Sequence, residues 1–307
     1  MKILLTGSSG TIGTRLFETL LENDYEVIGA DIRHNKWHKH IDEKTKIIDL
    51  RKPEEFNALP HDIDMIIHLA ANARVFDLVV EPDLARDNFI TTYNVMEFAR
   101  KNNIKKVIFS SSREVYGNVV TSKPLKERMA DFTNCESPYT STKIAGEALI
   151  KSYERCYGID NILFRFSNVY GMYDESDRVI PLWIDLESKG EDITIFGKEK
   201  VLDFTYIDDC INGIILGIKQ FDRVKNDIYN LAYGVGTKLF DVAKAISFNV
   251  INVEPNRTGE VVHYVADITK AKNVLGYSPK INIIEGIKKS IEWYKENPVT
   301  IERRLTK

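Results

Sequence analysis

The chain has 307 residues, a formal charge of -3 and 43% hydrophobic residues. That length can bury a large core, and two interleaved lobes are expected. The charge balance offers no footprint for nucleic acid, so any bound anion should be small. Three cysteines, Cys135, Cys156 and Cys210, are odd in number and lack C-x-x-C spacing. They argue against a disulfide framework or structural zinc and fit a reducing compartment. The N-terminus enters an apolar strand without a basic leader, and no apolar run reaches membrane-spanning length. A soluble, cytoplasmic protein without a membrane partner is the expectation.

Lys2 to Thr6 is an apolar run ending in glycines, and Ile12 to Leu21 places apolar residues at helical spacing. The pattern predicts a strand, a phosphate loop and a helix. Further strands are predicted at Glu26 to Ala30, Thr45 to Asp49, Met65 to Leu69, Lys106 to Ser110 and Asn161 to Phe166. Helical patterns at Asp83 to Lys101 and Tyr139 to Tyr157 separate several of them. Alternating strand and helix implies an α/β fold, a Rossmann-type doubly wound parallel sheet. Beyond Phe166 the alternation gives way to loops and short elements, as expected of a smaller C-terminal substrate-binding lobe. The basic and polar tail after Pro298 should be frayed.

In Gly7-x-x-Gly10-x-x-Gly13 the first glycines permit tight backbone near a pyrophosphate, and the third lets helix and strand pack closely. Thr11 and Ile12 open the helix, whose free N–H groups and dipole face the phosphates. Asp31 ends the second strand, where a carboxylate can accept from ribose hydroxyls and repel a 2′-phosphate. NAD is therefore favoured over NADP, with Arg33 partly offsetting the repulsion. Asp49-Leu50 either covers the adenine or simply caps a loop.

Tyr139 and Lys143 stand four apart on a predicted helix, so they share a face. An ammonium beside the phenol would lower its pKa from about 10, letting it take a proton from an alcohol. Ser110-Ser111-Ser112 leaves the fifth strand at the edge where such sheets bind ligands. Ser112 is the candidate for orienting the substrate hydroxyl. His34, His38 and His40 cluster in a predicted exposed loop but lack a completed ligand set, so solvated histidines are favoured over a metal site. His68 reads as a packed, hydrogen-bonded residue.

These residues resemble the extended short-chain dehydrogenases that act on nucleotide sugars. The resemblance rests on the Gly7 loop, His68-Leu69-Ala70-Ala71, Asn88 through Asn94 with Glu97, Ser110 through Gly117, Tyr139-x-x-x-Lys143 and Arg165 through Gly171. Phe196-Gly197, Asp203 through Asp209, Arg257 through Glu260 and Leu275 through Pro279 extend it into the C-terminal part. It implies an NAD-binding domain over 1–166 with segments near 204–232 returning to it, and a nucleotide-sugar lobe over 167–203 and 233–307. It places Leu69, Ala70, Ala71, Asn88 and Ser110 with the cofactor, and Ser112, Asn168, Val179, Trp183, Phe196 and Arg257 with a nucleotide-diphosphate sugar. For Trp183, a core position is an equal reading. The implied chemistry has Tyr139 removing the O4 proton while C4 passes hydride to NAD, giving a 4-keto sugar. Lys143 would bind the nicotinamide ribose. A homodimer formed through the helices at 83–101 and 139–157 is implied likewise.

Two departures stand out. Leu202 occupies a position where the family usually has a diphosphate-binding arginine, which leaves Lys200 or Lys198 to compensate. Glu114 is typical of 4,6-dehydratases and some decarboxylases, where it can remove the C5 proton, yet Arg113 stands where many dehydratases have an acid. The arginine can instead pair with Glu114 and keep it inert. A UDP-hexose 4-epimerase is the leading expectation, with a 4,6-dehydratase or UDP-glucuronate decarboxylase as the alternative. A non-enzymatic NAD-binding scaffold comes third, because Ser112, Tyr139 and Lys143 are all present.

Overall fold

A computed structural model describes residues 1–119, 121 and 123–301. β1 (Lys2–Thr6) leads through the glycine loop into α1 (Thr11–Glu22), which buries Gly13, Leu16, Phe17 and Leu20 on one face. β2 (Glu26–Asp31), α2 (Lys39–Asp42) and β3 (Thr45–Ile47) complete one wing. The other wing follows with β4 (Met65–His68), α3 (Val75–Val80), α4 (Asp83–Lys101), β5 (Lys106–Ser112), α5 (Pro138–Tyr157) and β6 (Asp160–Phe166). Pro138 sits at the first helical position of α5, Ser137 caps its N-terminus and Gly158 ends it in a left-handed conformation.

The smaller part contains β7 (Asn168–Tyr170), α6 (Val179–Ser188), β8 (Ile193–Phe196) and β9 (Val201–Tyr206). α7 (Ile207–Lys219), α8 (Phe221–Val224) and β10 (Asp227–Leu231) then bring the chain back to the large sheet. After them come β11 (Gly236–Lys238), α9 (Leu239–Ile246), β12 (Ile251–Glu254) and α10 (Ile283–Glu296). The large sheet runs β3-β2-β1-β4-β5-β6-β10 with every pairing parallel. Its order reverses between β1 and β4, so the crevice for ligands lies at their carboxyl ends. Alternate residues feed opposite cores: Ile3, Leu5 and Ile67 join one, Leu4, Ile66 and Val107 the other. A three-stranded sheet, β11-β9-β7, and the pair β12-β8 build the second lobe.

Several strands and helices differ from their predicted bounds. The strand at Thr45 stops at Ile47, because Asp49 turns the chain by accepting the Arg51 backbone N–H at 3.0 Å. β5 runs on through Ser112, since Ser110 to Ser112 keep their register with Phe164 to Phe166 of β6. The region beyond Phe166 carries helices of 10, 13 and 14 residues, more regular structure than its sequence suggested. Ile301 is buried against the expected fraying, and residues 302–307 of that tail lie outside the described residues.

Two sets of ties hold the parts together. The Asp203 carboxylate accepts the backbone N–H groups of Tyr233, Gly234 and Ala266, and Asp209 accepts those of Lys280 and Ile281. Trp37, beside α2, packs 5.6 Å from Tyr173 and 5.1 Å from Trp293 of α10, ring centre to ring centre. The Tyr173 hydroxyl donates to Glu18 of α1 at 3.0 Å. No helix among the described residues is long and apolar enough to cross a membrane.

Candidate active site

Gly7 adopts a φ of +71°, and a Cβ there would stand 2.7 Å from the Ala70 nitrogen. A Cβ on Gly13 would overlap the Gly7 carbonyl oxygen. α1 begins at Gly10 without a side-chain cap, leaving its first N–H groups open to an anion. Ser9 Oγ is buried and has no partner among the described residues. A close backbone approach, an uncapped helix start and an orphaned hydroxyl fit a dinucleotide pyrophosphate. Asp31 accepts the N–H groups of Ser9 at 2.9 Å and Arg33 at 3.0 Å, so it also shapes the loop. Each of its oxygens keeps a further lone pair for a ribose hydroxyl. Thr11 Oγ1 donates to the Tyr173 carbonyl, and Ile12 is half-buried against the core.

Leu69, Ala70 and Ala71 follow β4 and pass beside Gly7. Asn88 fixes that stretch by exchanging two bonds with the Asn72 backbone, at 2.7 and 3.0 Å. Asp49 and Leu50 close the end of β3, where Asp49 caps the turn. The Arg51 guanidinium holds the Asp49 carboxyl below its usual range at 2.8 Å, and Leu50 is buried in the core. His68 is packed as expected: Thr6 and Thr92 hydroxyls contact its two ring nitrogens, and burial pushes its pKa down to about 3. His34 meets Asp42, while His38 meets Glu18 and the Tyr173 hydroxyl.

The pleat of β5 sorts the three serines, since successive residues face opposite sides. Ser111 Oγ donates to Glu147, which also binds Arg165 at 2.7 Å. Ser110 Oγ donates to the His68 carbonyl. Ser112 remains on the Tyr139 side, where its hydroxyl eases ionisation of the phenol. Lys143 Nζ donates to the Ser110 carbonyl at 2.7 Å and lies 5.7 Å from the centre of the Tyr139 ring. Burial pushes Lys143 down to about 8 and Tyr139 up to about 12. The expected depression of the phenol by Lys143 is thus overridden in the protein alone, because desolvation penalises the phenolate. Ser112, Arg178 and Arg113 oppose that penalty, and Glu114 adds to it.

Glu114 is 3% exposed, and burial raises its pKa. Arg113 Nη2 meets its Oε1 at 2.8 Å, and Arg113 Nε donates to Asn168 Oδ1 at 3.2 Å. The Asn168 amide in turn donates to the Asp203 carbonyl at 2.9 Å. Arg257 stacks its guanidinium 3.8 Å from the Phe196 ring centre and 5.2 Å from that of Phe76. Val179 starts α6. Trp183, at 1% exposure, belongs to the core, and this takes the packing reading over a sugar-lining one. Leu202 is also buried, Lys200 is held by Glu260 at 2.5 Å, and Lys198 lies over the Phe240 ring. Phosphate compensation by Lys200 therefore competes with an ion pair already made.

Three features were missed. Arg178 favours the Tyr139 phenolate, a role that its sequence neighbours do not disclose. Arg74 bridges to Asp177 at 2.8 Å, linking the segment before α3 to that before α6. Phe76 against Arg257 left no mark in the sequence, since nothing in α3 encodes a partner so distant along the chain.

Comparison with known proteins decides the family. Residues 3–232 match the NAD dependent epimerase/dehydratase family. The chain belongs to that family. Among its members, a putative UDP-glucose 4-epimerase of Methanocaldococcus jannaschii is 35% identical, over 96% of this chain and 99% of that protein. A UDP-glucuronate 4-epimerase of Thermodesulfobacterium geofontis is 31% identical, over 96% of each chain. The crystal structure of Thermotoga maritima UDP-glucose 4-epimerase with UDP-glucose superposes with a TM-score of 0.87 at 30% identity, covering 97% of this chain and 99% of that one. NAD is the cofactor of the NAD dependent epimerase/dehydratase family, and the glycine cradle described above fits it.

Proposed function

We propose that the protein is a cytoplasmic NAD-dependent nucleotide-sugar 4-epimerase acting on a UDP-hexose. The observation that carries this reading is the buried ion pair between Arg113 and Glu114 beside Tyr139. Losing water from C6 requires a base at C5 and an acid for the departing hydroxyl. Here the residue beside the glutamate is a guanidinium, which does not give up its proton in proteins. Glu114 is held by that guanidinium instead of standing ready as a base. The relatives named as 4-epimerases support the same choice.

In this reading Tyr139 accepts the O4 proton, Ser112 holds O4 in line, and Lys143, fixed by the Ser110 carbonyl, keeps a positive charge near the reacting centre. When bound, NAD supplies a reversible hydride acceptor for C4 and a positive charge that favours the phenolate. Arg178 adds to that charge from the substrate side. Arg257, backed by Phe196 and Phe76, would neutralise the diphosphate. Residues 1–166 with the returning α7–β10 segment serve the cofactor, and the remainder serves the nucleotide sugar. A homodimer through α4 and α5 is supported by Phe89 and Tyr93, exposed one helical turn apart on α4.

The test is incubation of purified protein and NAD with UDP-, dTDP- and GDP-hexoses, their N-acetyl forms and UDP-glucuronate, read by mass spectrometry and proton NMR. A new isomer of unchanged mass from a UDP-hexose is expected. Loss of water or carbon dioxide would overturn the epimerase reading and restore Glu114 as a C5 acid/base.

A further inference from the structure

Residues 173–178 lie between β7 and α6 and touch the chain just beyond three neighbouring strands of the large sheet. Beyond β2, Trp37 packs on the Tyr173 ring and Lys36 pairs with Glu175. Beyond β1, Thr11 Oγ1, in the first turn of α1, donates to the Tyr173 carbonyl at 3.3 Å. Beyond β4, Arg74 Nη2 meets Asp177 at 2.8 Å, and Arg178 Nη2 donates to the Ala73 carbonyl at 3.2 Å. The sheet order sets β2, β1 and β4 side by side, so the loop crosses the carboxyl edge from the Asp31 side to the β4 side. A dinucleotide held by Asp31, the uncapped start of α1 and Lys143 runs in the same direction over the same strand ends.

The two halves of this loop are held differently. Tyr173 and Asp174 are buried at its root, where the Tyr173 hydroxyl donates to Glu18 at 3.0 Å and the Asp174 carbonyl accepts from the Tyr294 hydroxyl at 2.5 Å. Residues 175–178 stay outside the core and are secured by polar contacts, two ion pairs and the Arg178 bond among them. The pairs are unequal. Lys36 and Glu175 expose 50% and 39% of their side chains, and such a pair holds little against water. Arg74 and Asp177 expose 19% and 8%, and Nη1 of the same guanidinium is fixed by Asp77 of α3 at 2.8 Å. Removing one partner of a largely desolvated pair costs far more than removing one of an exposed pair. Opening of residues 175–178 is therefore governed at the Arg74 end.

We propose that residues 175–178 form a strap across the bound dinucleotide, rooted at Tyr173 and Asp174, and that Arg74 with Asp177 is the latch that opens before NAD leaves. The strap sets how long the cofactor stays and is independent of which sugar reaction follows. Arg74 and Asp177 act through the loop as positioning residues, so their effect falls on cofactor exchange.

The experiment measures NAD release. Purified protein is saturated with NAD, and the cofactor it releases is trapped by excess alcohol dehydrogenase and ethanol, with NADH absorbance giving the rate. Asp177→Asn should release NAD at least about tenfold faster than wild type, and Lys36→Met no more than about twofold faster. Arg74→Lys keeps a charge but gives up the fork that joins Asp77 to Asp177, and its rate should fall between those two. Arg74→Lys carries the test if Asp177→Asn does not fold. Melting of each variant without NAD separates the latch from a merely structural tie, whose loss would lower the melting temperature and leave release unchanged. A wild-type release rate in folded Asp177→Asn, or in folded Arg74→Lys where it stands in, would overturn the proposal. An equal or larger acceleration in Lys36→Met would overturn it as well, by moving the governing contact to the β2 side. Because the readout is cofactor release and not the sugar product, failure here leaves the epimerase reading intact, and failure of that reading leaves the latch unaffected.

Discussion

The cofactor side and the sugar side of the crevice are built by different means. On the cofactor side, short residues let backbone approach backbone: Gly7 lies against Ala70 and Gly13 against the Gly7 carbonyl. On the sugar side, long side chains reach across the fold to one another, as Arg113 does to Asn168, Arg257 to Phe76 and Arg74 to Asp177. The first kind of construction tolerates almost no change and serves chemistry common to a family. The second can be re-paired by single substitutions, and it is there that substrate choice is expected to reside.

Removing the phenol should have the largest effect. Tyr139→Phe should lower kcat by about 10²–10⁴-fold, as expected for loss of a positioned base, while circular dichroism and NAD content stay unchanged. Retained turnover would break the assignment of the cofactor side as the reactive one.

His68 offers a pH test of the same rigid wing. Its folded pKa lies near 3, below the unfolded value of 6.5, so the unfolded chain binds the extra proton between them. Stability from this group is therefore complete above pH 6.5 and is lost as pH falls toward 3. Between pH 6.5 and 5 the loss should reach about 2 kcal/mol. Urea titrations at several pH values should show that His68→Gln lacks this component of the slope, and equal slopes would contradict the burial of a neutral imidazole.

A methyl group placed in the cradle should cost a similar amount of stability and do more to ligand content. Gly13→Ala forces the helix from the strand, with an expected cost of about 1–3 kcal/mol and loss of bound NAD from the purified protein. Full NAD occupancy with unchanged melting temperature would show that the loop is softer than its contacts indicate.

The sugar side should respond more gently. Arg257→Lys keeps the charge but gives up the planar stack on Phe196, and KM for the nucleotide sugar should rise about tenfold with kcat nearly unchanged. An equal fall in kcat would mean that Arg257 acts on the reacting carbon and not on binding alone.

What the sequence made legible follows the same division. The glycine spacing, the helix carrying Tyr139 and Lys143, and the alternation that builds the sheet are local patterns, and each appeared in its expected element. Ser112 stood out among three serines once β5 was seen to extend, because the pleat sends Ser111 to Glu147. Trp183 was ambiguous, since an aromatic beside a proline and a leucine looks alike whether it lines a sugar or a core. Asp203 and Asp209 sit in a segment resembling a nucleotide-binding one, yet their carboxylates bind backbone N–H groups. Such roles depend on which loop lies opposite, and that information is spread over distant parts of the chain. The Tyr139 ionisation was misread for a related reason: proximity to a lysine is visible in spacing, whereas the cost of desolvation is set by everything packed around the ring.

The aromatic contact of Trp37 with Tyr173 and Trp293 bears on where the gene can be cut. The family match ends at residue 232, a natural place to truncate, but the rings that close over Trp37 come from both sides of that boundary. A fragment ending there would strip Trp293 from its neighbours and leave Asp209 without the backbone groups it holds. Such a fragment should be insoluble or aggregate on expression, and the intact chain should melt in a single cooperative step, its two lobes behaving as one folding unit.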